Sequence, residues 1–166
     1  MDTSFGLLRA ALTAALIVPL ATVAQSPTTT FKVTTNVQAS CQVSANDLNF
    51  GNYSPNAATR NDAQSELKVT CSPNVQYNIA LNAGTSAGAS IDTRKMTFGS
   101  STLNYQLYRT SSRNSNEVWG DTVGSNTLQG NGTGTQQSYP VYGSVPAGQL
   151  VSPGTYIDTI TVNVLF

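Results

Sequence analysis

Residues 155–166 read TYIDTITVNVLF. Tyr156, Ile160, Val162, Val164 and Phe166 share one parity, and Thr159, Thr161, Asn163 and Leu165 share the other. A repeat of two is the mark of a β-strand with one face on a core. No polar tail follows this strand, and a strand so apolar on one face needs neighbours on both sides or becomes an exposed edge. The alternation recurs near the other end. Across residues 29–39, Phe31, Val33, Thr35, Val37 and Ala39 point one way, and Lys32, Thr34, Asn36 and Gln38 the other.

Between these two runs the chain reads as short strands and turns. Residues 41–43 and 48–50 are strand candidates around a turn at Asn46-Asp47. Leu67, Val69 and Cys71 alternate with Glu66, Lys68 and Thr70, and Val75, Tyr77, Ile79 and Leu81 alternate with Gln76, Asn78, Ala80 and Asn82. Residues 94–98 and 102–108 predict a hairpin through Gly99-Ser100. A long polar stretch, 109–138, follows, and strands resume over 139–145. No helical stripe occurs after residue 25, and the spacing of turn signals predicts an all-β antiparallel sandwich.

Composition removes whole classes of function. The chain has 166 residues, a prior for one domain, with 10% charged residues and eight basic against eight acidic side chains. That balance lacks the electrostatic footprint of a nucleic-acid or membrane-surface binder. There is no His, so Ser-His-Asp, Cys-His and His-metal chemistry is excluded within the chain. Gly84-Thr85-Ser86-Ala87-Gly88 matches G-x-S-x-G but has neither a His nor a following helix. The Gly130-Asn131-Gly132-Thr133-Gly134 run lacks the Lys and helix of a phosphate loop. Asp92, Glu117, Asp121 and Asp158 show no spacing that selects a catalytic pair, and they read as solvated strand ends. The expectation is no catalytic residue, no metal and no cofactor. Trp119, set between Glu117 and Asp121, reads as a cover for one end of the sandwich or as a surface contact for a sugar or another subunit.

Residues 10–21 are almost continuously apolar, follow Arg9, and give way to small residues up to Ala24. This is the layout of a secretory signal peptide over residues 1–24, too short for the ~20 residues that span a bilayer. In an oxidising compartment the two cysteines, Cys41 and Cys71, are expected to form a disulfide.

The alternating run at 29–39 has two readings of equal weight. It folds back into its own domain, or it is offered to a neighbour whose sandwich lacks a last strand, by strand addition. Head-to-tail transfer of that kind does not close and builds a filament.

An ordered set of motifs resembles the spore coat protein U family of secreted bacterial proteins, which includes the pilins of the archaic chaperone–usher pathway. The set runs through Cys41-Gln42-Val43, Leu48-Asn49-Phe50-Gly51, Val69-Thr70-Cys71 and Leu103-Asn104-Tyr105-Gln106-Leu107-Tyr108. It continues with Val118-Trp119-Gly120-Asp121, Val141-Tyr142-Gly143, Gly148-Gln149 and the run from Gly154 to Val162. The resemblance implies an incomplete immunoglobulin-like sandwich over residues 40–166, completed by donor-strand exchange, with residues 25–39 as the donor strand. It implies Phe31, Val33, Thr35 and Val37 as donor side chains, and Ile160, Val162, Val164 and Phe166 as the acceptor groove or chaperone contact. The Cys41–Cys71 bridge would be the family disulfide. The implied partners are neighbouring copies or related pilin subunits, a periplasmic chaperone and an outer-membrane usher. The implied place is the periplasm in transit and then the cell surface, in a pilus serving adhesion and biofilm formation. A spore or cell-surface coat protein and a self-contained secreted glycan-binding domain are the alternatives.

Overall fold

The computed structural model describes residues 23–166; the signal-peptide reading lies outside the described residues apart from the last two positions. A boundary between two structural units falls between Asn36 and Val37. Residues 23–36 contain neither helix nor strand, and Phe31 and Val33 are 86% and 84% exposed. The half-buried strand expected over 29–39 is therefore not formed within the chain. Period-two patterning sets the parity of side chains, but a strand also needs a ladder partner, and none of the described residues supplies one.

The second unit holds eight strands: β1 (Cys41–Ala45), β2 (Asn61–Cys71), β3 (Gln76–Leu81), β4 (Arg94–Phe98), β5 (Ser101–Tyr108), β6 (Leu128–Asn131), β7 (Gln137–Val145) and β8 (Val162–Leu165). They form a five-stranded sheet, β1-β2-β7-β5-β4, and a three-stranded sheet, β6-β3-β8. Every strand pairing is antiparallel. Alternation places Leu67 and Val69 of β2, Tyr77, Ile79 and Leu81 of β3, and Leu103, Tyr105 and Leu107 of β5 in one shared core. The hairpin is β4–β5, turning through Gly99 at a φ of 58°, which costs glycine little. Pro140 lies in β7 outside the 142–144 segment that pairs with β5, so its missing N–H breaks no bond on that side.

The disulfide joins Cys41 to Cys71, directly opposite each other in the β1–β2 register. It anchors the edge strand β1, whose other residues are all exposed. Two expectations differ from the structure. Residues 48–50 form no strand: the β1–β2 ladder ends at Ala45↔Leu67, and a side chain takes over, with Asn61 Nδ2 donating to the Phe50 carbonyl at 2.9 Å. The polar stretch 109–138 contains β6, which pairs with β3 despite little apolar patterning. Gly130 makes that pairing possible, because a Cβ there would meet the Tyr77 ring at 2.5 Å.

Candidate functional site: an open groove along the last strand

Three strands facing five leave part of the larger sheet uncovered. A groove of about 1140 Å³ opens there, and Leu67, Leu103, Leu107, Val141 and Val145 reach it from the five-stranded sheet. Residues 45–53 line it on one side and residues 151–160 with Val162 on the other.

The second side carries the distinctive backbone. Ile157 and Thr97 of β4 exchange both N–H···O bonds, at 2.9 and 3.1 Å. Thr161 accepts from the Asn82 amide at 3.1 Å and donates to Asn82 Oδ1 at 2.9 Å. In an antiparallel ladder a residue sends its N–H and C=O to the same side. Ile157, Thr161, Asn163 and Leu165 thus face β4 and β3, and Val162 and Val164 present their backbone groups to the opposite side. No strand pairs there among the described residues, since β8 is the last strand in its sheet. The same parity turns the side chains of Tyr156, Asp158, Ile160, Val162 and Val164 inward, where all are half-buried.

Of the residues expected in an acceptor groove, Ile160 and Val162 line it. Val164 packs on the core beyond the groove lining, and Phe166 is 61% exposed. The donor candidates Phe31, Val33, Thr35 and Val37 are all exposed. Trp119 requires a correction: it is fully buried, with Nε1 donating to the Ile79 carbonyl at 2.8 Å and its amide to Leu107 at 2.9 Å. It fills the core between the sheets and offers no surface to a sugar or subunit. The chain around it is polar because residues 114–116 and 121–125 on either side are exposed.

The remaining motifs resolve into structural roles. The amides of Gly132 and Gly134 donate to Val75 and Cys71, at 2.7 and 3.0 Å, so they are not turned toward an anion. Thr85 and Ser86 of the G-x-S-x-G run donate to Asp158. Glu117 lies 3.5 Å from Arg109. No group of three His, Cys, Asp or Glu gathers among the described residues.

Two features escaped the sequence reading. Asp158 is a half-buried wall residue of the groove rather than a solvated strand end, and its Oδ2 accepts from the Tyr105 hydroxyl at 2.6 Å. Burial, reinforced by this hydrogen bond and the neighbouring carboxylate, pushes the Tyr105 phenol well above its ordinary range. The signal was present: Asp158 falls on the inward parity between Tyr156 and Ile160. Arg94, at 0% exposure, had no such signal in an alternating strand.

Comparison with known proteins agrees with this architecture. Residues 27–163 match the Spore Coat Protein U domain. Protein U of Myxococcus xanthus is 35% identical over 146 residues, covering 79% of this chain and 80% of that protein. Among solved structures, the fold is similar to the CsuE subunit in the CsuC–CsuE chaperone–tip adhesion subunit pre-assembly complex, from archaic chaperone–usher Csu pili of Acinetobacter baumannii. That match has a TM-score of 0.58 and 29% identity, covering 78% of this chain and 40% of that one. HdaB, the minor tip subunit of the E. coli Hda pilus, aligns with a TM-score of 0.40 and 14% identity over 76% of this chain and 82% of HdaB. With its two antiparallel sheets and its match over residues 27–163, the chain belongs to the Spore Coat Protein U domain family.

Proposed function

We propose that this protein is a structural subunit of a surface fibre assembled by the chaperone–usher pathway, in which each copy accepts a strand from its neighbour and donates residues 25–39 to the next. The observation that carries this reading is the groove: an apolar trough bordered by a strand whose outward backbone groups have no partner among the described residues. Such an edge recruits an extended segment through main-chain bonds, while alternate side chains fill the trough. Residues 29–39 have the matching period, and Phe31, Val33 and Val37 are 86%, 84% and 90% exposed. Fully burying each stabilises the pairing by about 1.5–3 kcal/mol.

On this reading a chaperone occupies the groove first, as the pre-assembly complex of CsuE with CsuC supports. An outer-membrane usher then exchanges it for the next subunit's strand. The disulfide and the pilus relatives support an extracytoplasmic location, and the finished fibre serves adhesion and biofilm formation. Membership of the Spore Coat Protein U domain family favours a second setting, a surface coat, built from the same strand transfer.

The test uses the full chain with Val33→Asp. An unpaired carboxylate buried in an apolar groove costs several kcal/mol, whereas at its exposed position in the free chain it costs almost nothing. Sedimentation is expected to show polymers of the parent and monomers of the variant, with unchanged circular dichroism. A peptide spanning residues 28–39 should then raise the variant's melting temperature saturably. A variant that polymerises like the parent, or that ignores the peptide, sinks the proposal.

A further inference from the structure

The inward face of the last strand, one wall of the groove, carries a single charged side chain. Of the inward residues along 156–164, only Asp158 is charged, and its neighbours of the same parity are Tyr156 and Ile160. Its Oδ1 is saturated, accepting from the Thr85 amide at 2.8 Å, Thr85 Oγ1 at 3.1 Å, Ser86 Oγ at 3.5 Å and the Thr159 amide at 2.9 Å. Among the described residues its Oδ2 accepts only from the Tyr105 hydroxyl, at 2.6 Å. Oδ2 therefore keeps unused acceptor capacity, and so does the Tyr105 oxygen, whose proton is already committed. Gly84 allows this approach: at a φ of 93° it passes so close that any Cβ would collide with the carboxylate.

The exposed alternating segment also has one polar station. On its apolar parity stand Phe31, Val33, Thr35, Val37 and Ala39, and only Thr35 carries a hydroxyl. Setting Thr35 against Asp158 in an antiparallel pairing places Val37 at Tyr156, Val33 at Ile160 and Phe31 at Val162. Each is an apolar pair. A shift of two residues either way lays Val33 or Val37 on the carboxylate and strands the hydroxyl against Tyr156 or Ile160, respectively. A parallel pairing on the same key sends Phe31 to Gly154, beyond the inward run.

We infer that Asp158 and Tyr105 set the register of strand addition by recognising the Thr35 hydroxyl of a second copy. This rests on the donor-strand reading above and adds its specificity determinant. Apolar side chains of similar size tolerate sliding by two residues, because every register of the correct parity buries them. A carboxylate whose open acceptor must be met by one hydroxyl does not, since a buried group left unmatched loses a charge-assisted bond.

The affinity measurement keeps the groove unchanged. The full chain carrying Val33→Asp is titrated with three peptides spanning residues 28–39: the native sequence, Thr35→Ser and Thr35→Val. The native and Ser peptides are expected to bind within about threefold of one another, and the Val peptide on the order of tenfold more weakly. A register readout accompanies the affinities. A peptide with Val33→Cys is expected to cross-link to an acceptor bearing Ile160→Cys and not to one bearing Val162→Cys. If the Val peptide binds as well as the native one or better, or if cross-linking does not distinguish the two positions, the register assignment is overturned while strand addition stands. If none of the peptides binds, strand addition itself fails.

Discussion

Arg94 offers the sharpest check on how this fold holds its groove. It is fully buried on β4, and no carboxylate forms an ion pair with it among the described residues. Carbonyl dipoles solvate the charge instead. Nη2 donates to the Asn82 and Trp119 carbonyls at 2.7 Å each and to Leu81 at 3.2 Å. Nε adds a bond to Asn82 at 2.9 Å, and Nη1 reaches Gln106 Oε1 at 2.6 Å. One side chain thus ties β4 to the end of β3 and to the Trp119 segment. Burial pulls the guanidinium below its ordinary range, with Tyr105 and Asp158 opposing that fall.

Replacing it by Met keeps the apolar stem and removes every donor. Gln106 Oε1 still accepts from the Leu107 amide at 2.9 Å, so the principal orphans are the Asn82 and Trp119 carbonyls. At ~1–3 kcal/mol per buried unsatisfied group this is ~2–6 kcal/mol. Relief of the buried charge's own desolvation offsets part of it, leaving an expected loss of about 3 kcal/mol. For a domain of this size that lowers Tm by about 10 °C. Arg94→Lys should recover less than half, because a single ammonium cannot span carbonyls on three segments. Urea unfolding reads the change as a shift of midpoint at constant slope. Thr97, three residues along β4, holds Ile157 in the groove wall, so affinity for the strand peptide should fall alongside stability. An Arg94→Met chain within about 0.5 kcal/mol of the parent would refute the view that this clamp joins the two sheets.

The disulfide closes a loop across a sequence separation of 30, worth ~3–4 kcal/mol in the chain-entropy account. The Cys41→Ala/Cys71→Ala chain should lose that amount in urea unfolding, and a loss under 1 kcal/mol would show that β1 needs no such anchor. Alkaline stability should depend on Tyr105. Its folded pKa lies above the unfolded value of 10.0, so the folded state holds its proton where the unfolded chain releases it. The contribution is intact below pH 10 and declines as pH rises further, by at most about 1.4 kcal/mol per unit. Tyr105→Phe should flatten the curve of unfolding free energy between about pH 10 and 11, and parallel curves for the two chains would contradict this.

How far the sequence reveals this molecule follows from what is local and what is not. Side-chain parity is local: Leu67, Val69 and Cys71, and Tyr77, Ile79 and Leu81, are buried as their alternation requires. The inward set of the last strand also follows its parity through Val164. Ladder partners are non-local. Residues 48–50 and 29–39 carry strand-like patterns without a strand to join among the described residues, and β6 joins one without the pattern. Burial of single large or charged groups is non-local as well. Trp119 and Arg94 are both at 0% exposure, one from a polar loop and one from the start of a hairpin, because β3 supplies backbone carbonyls to each. Within the groove, Ile160 and Val162 were legible as apolar residues on a terminal strand. The inward parity of Asp158 was legible, but its role was not, since that comes from Tyr105 across the sandwich.

The two departures from ordinary strand economy have the same form. Among the described residues, 29–39 hold an apolar stripe with no sheet to lie on, and the groove holds an apolar trough with no strand to fill it. Either alone would be a liability, as exposed edges and stripes invite indiscriminate pairing. Their joint presence converts the liability into an address only if pairing is selective, and matching apolar faces are not selective by themselves. A polar station on each surface supplies the missing discrimination, since a foreign apolar strand must lay a hydrocarbon side chain over the Asp158 carboxylate. Selectivity of this kind costs affinity relative to a wholly apolar groove. Asp158→Leu should therefore widen the range of strands accepted while weakening the preference for Thr35, and competition between the native and Thr35→Val peptides would reveal the reversal.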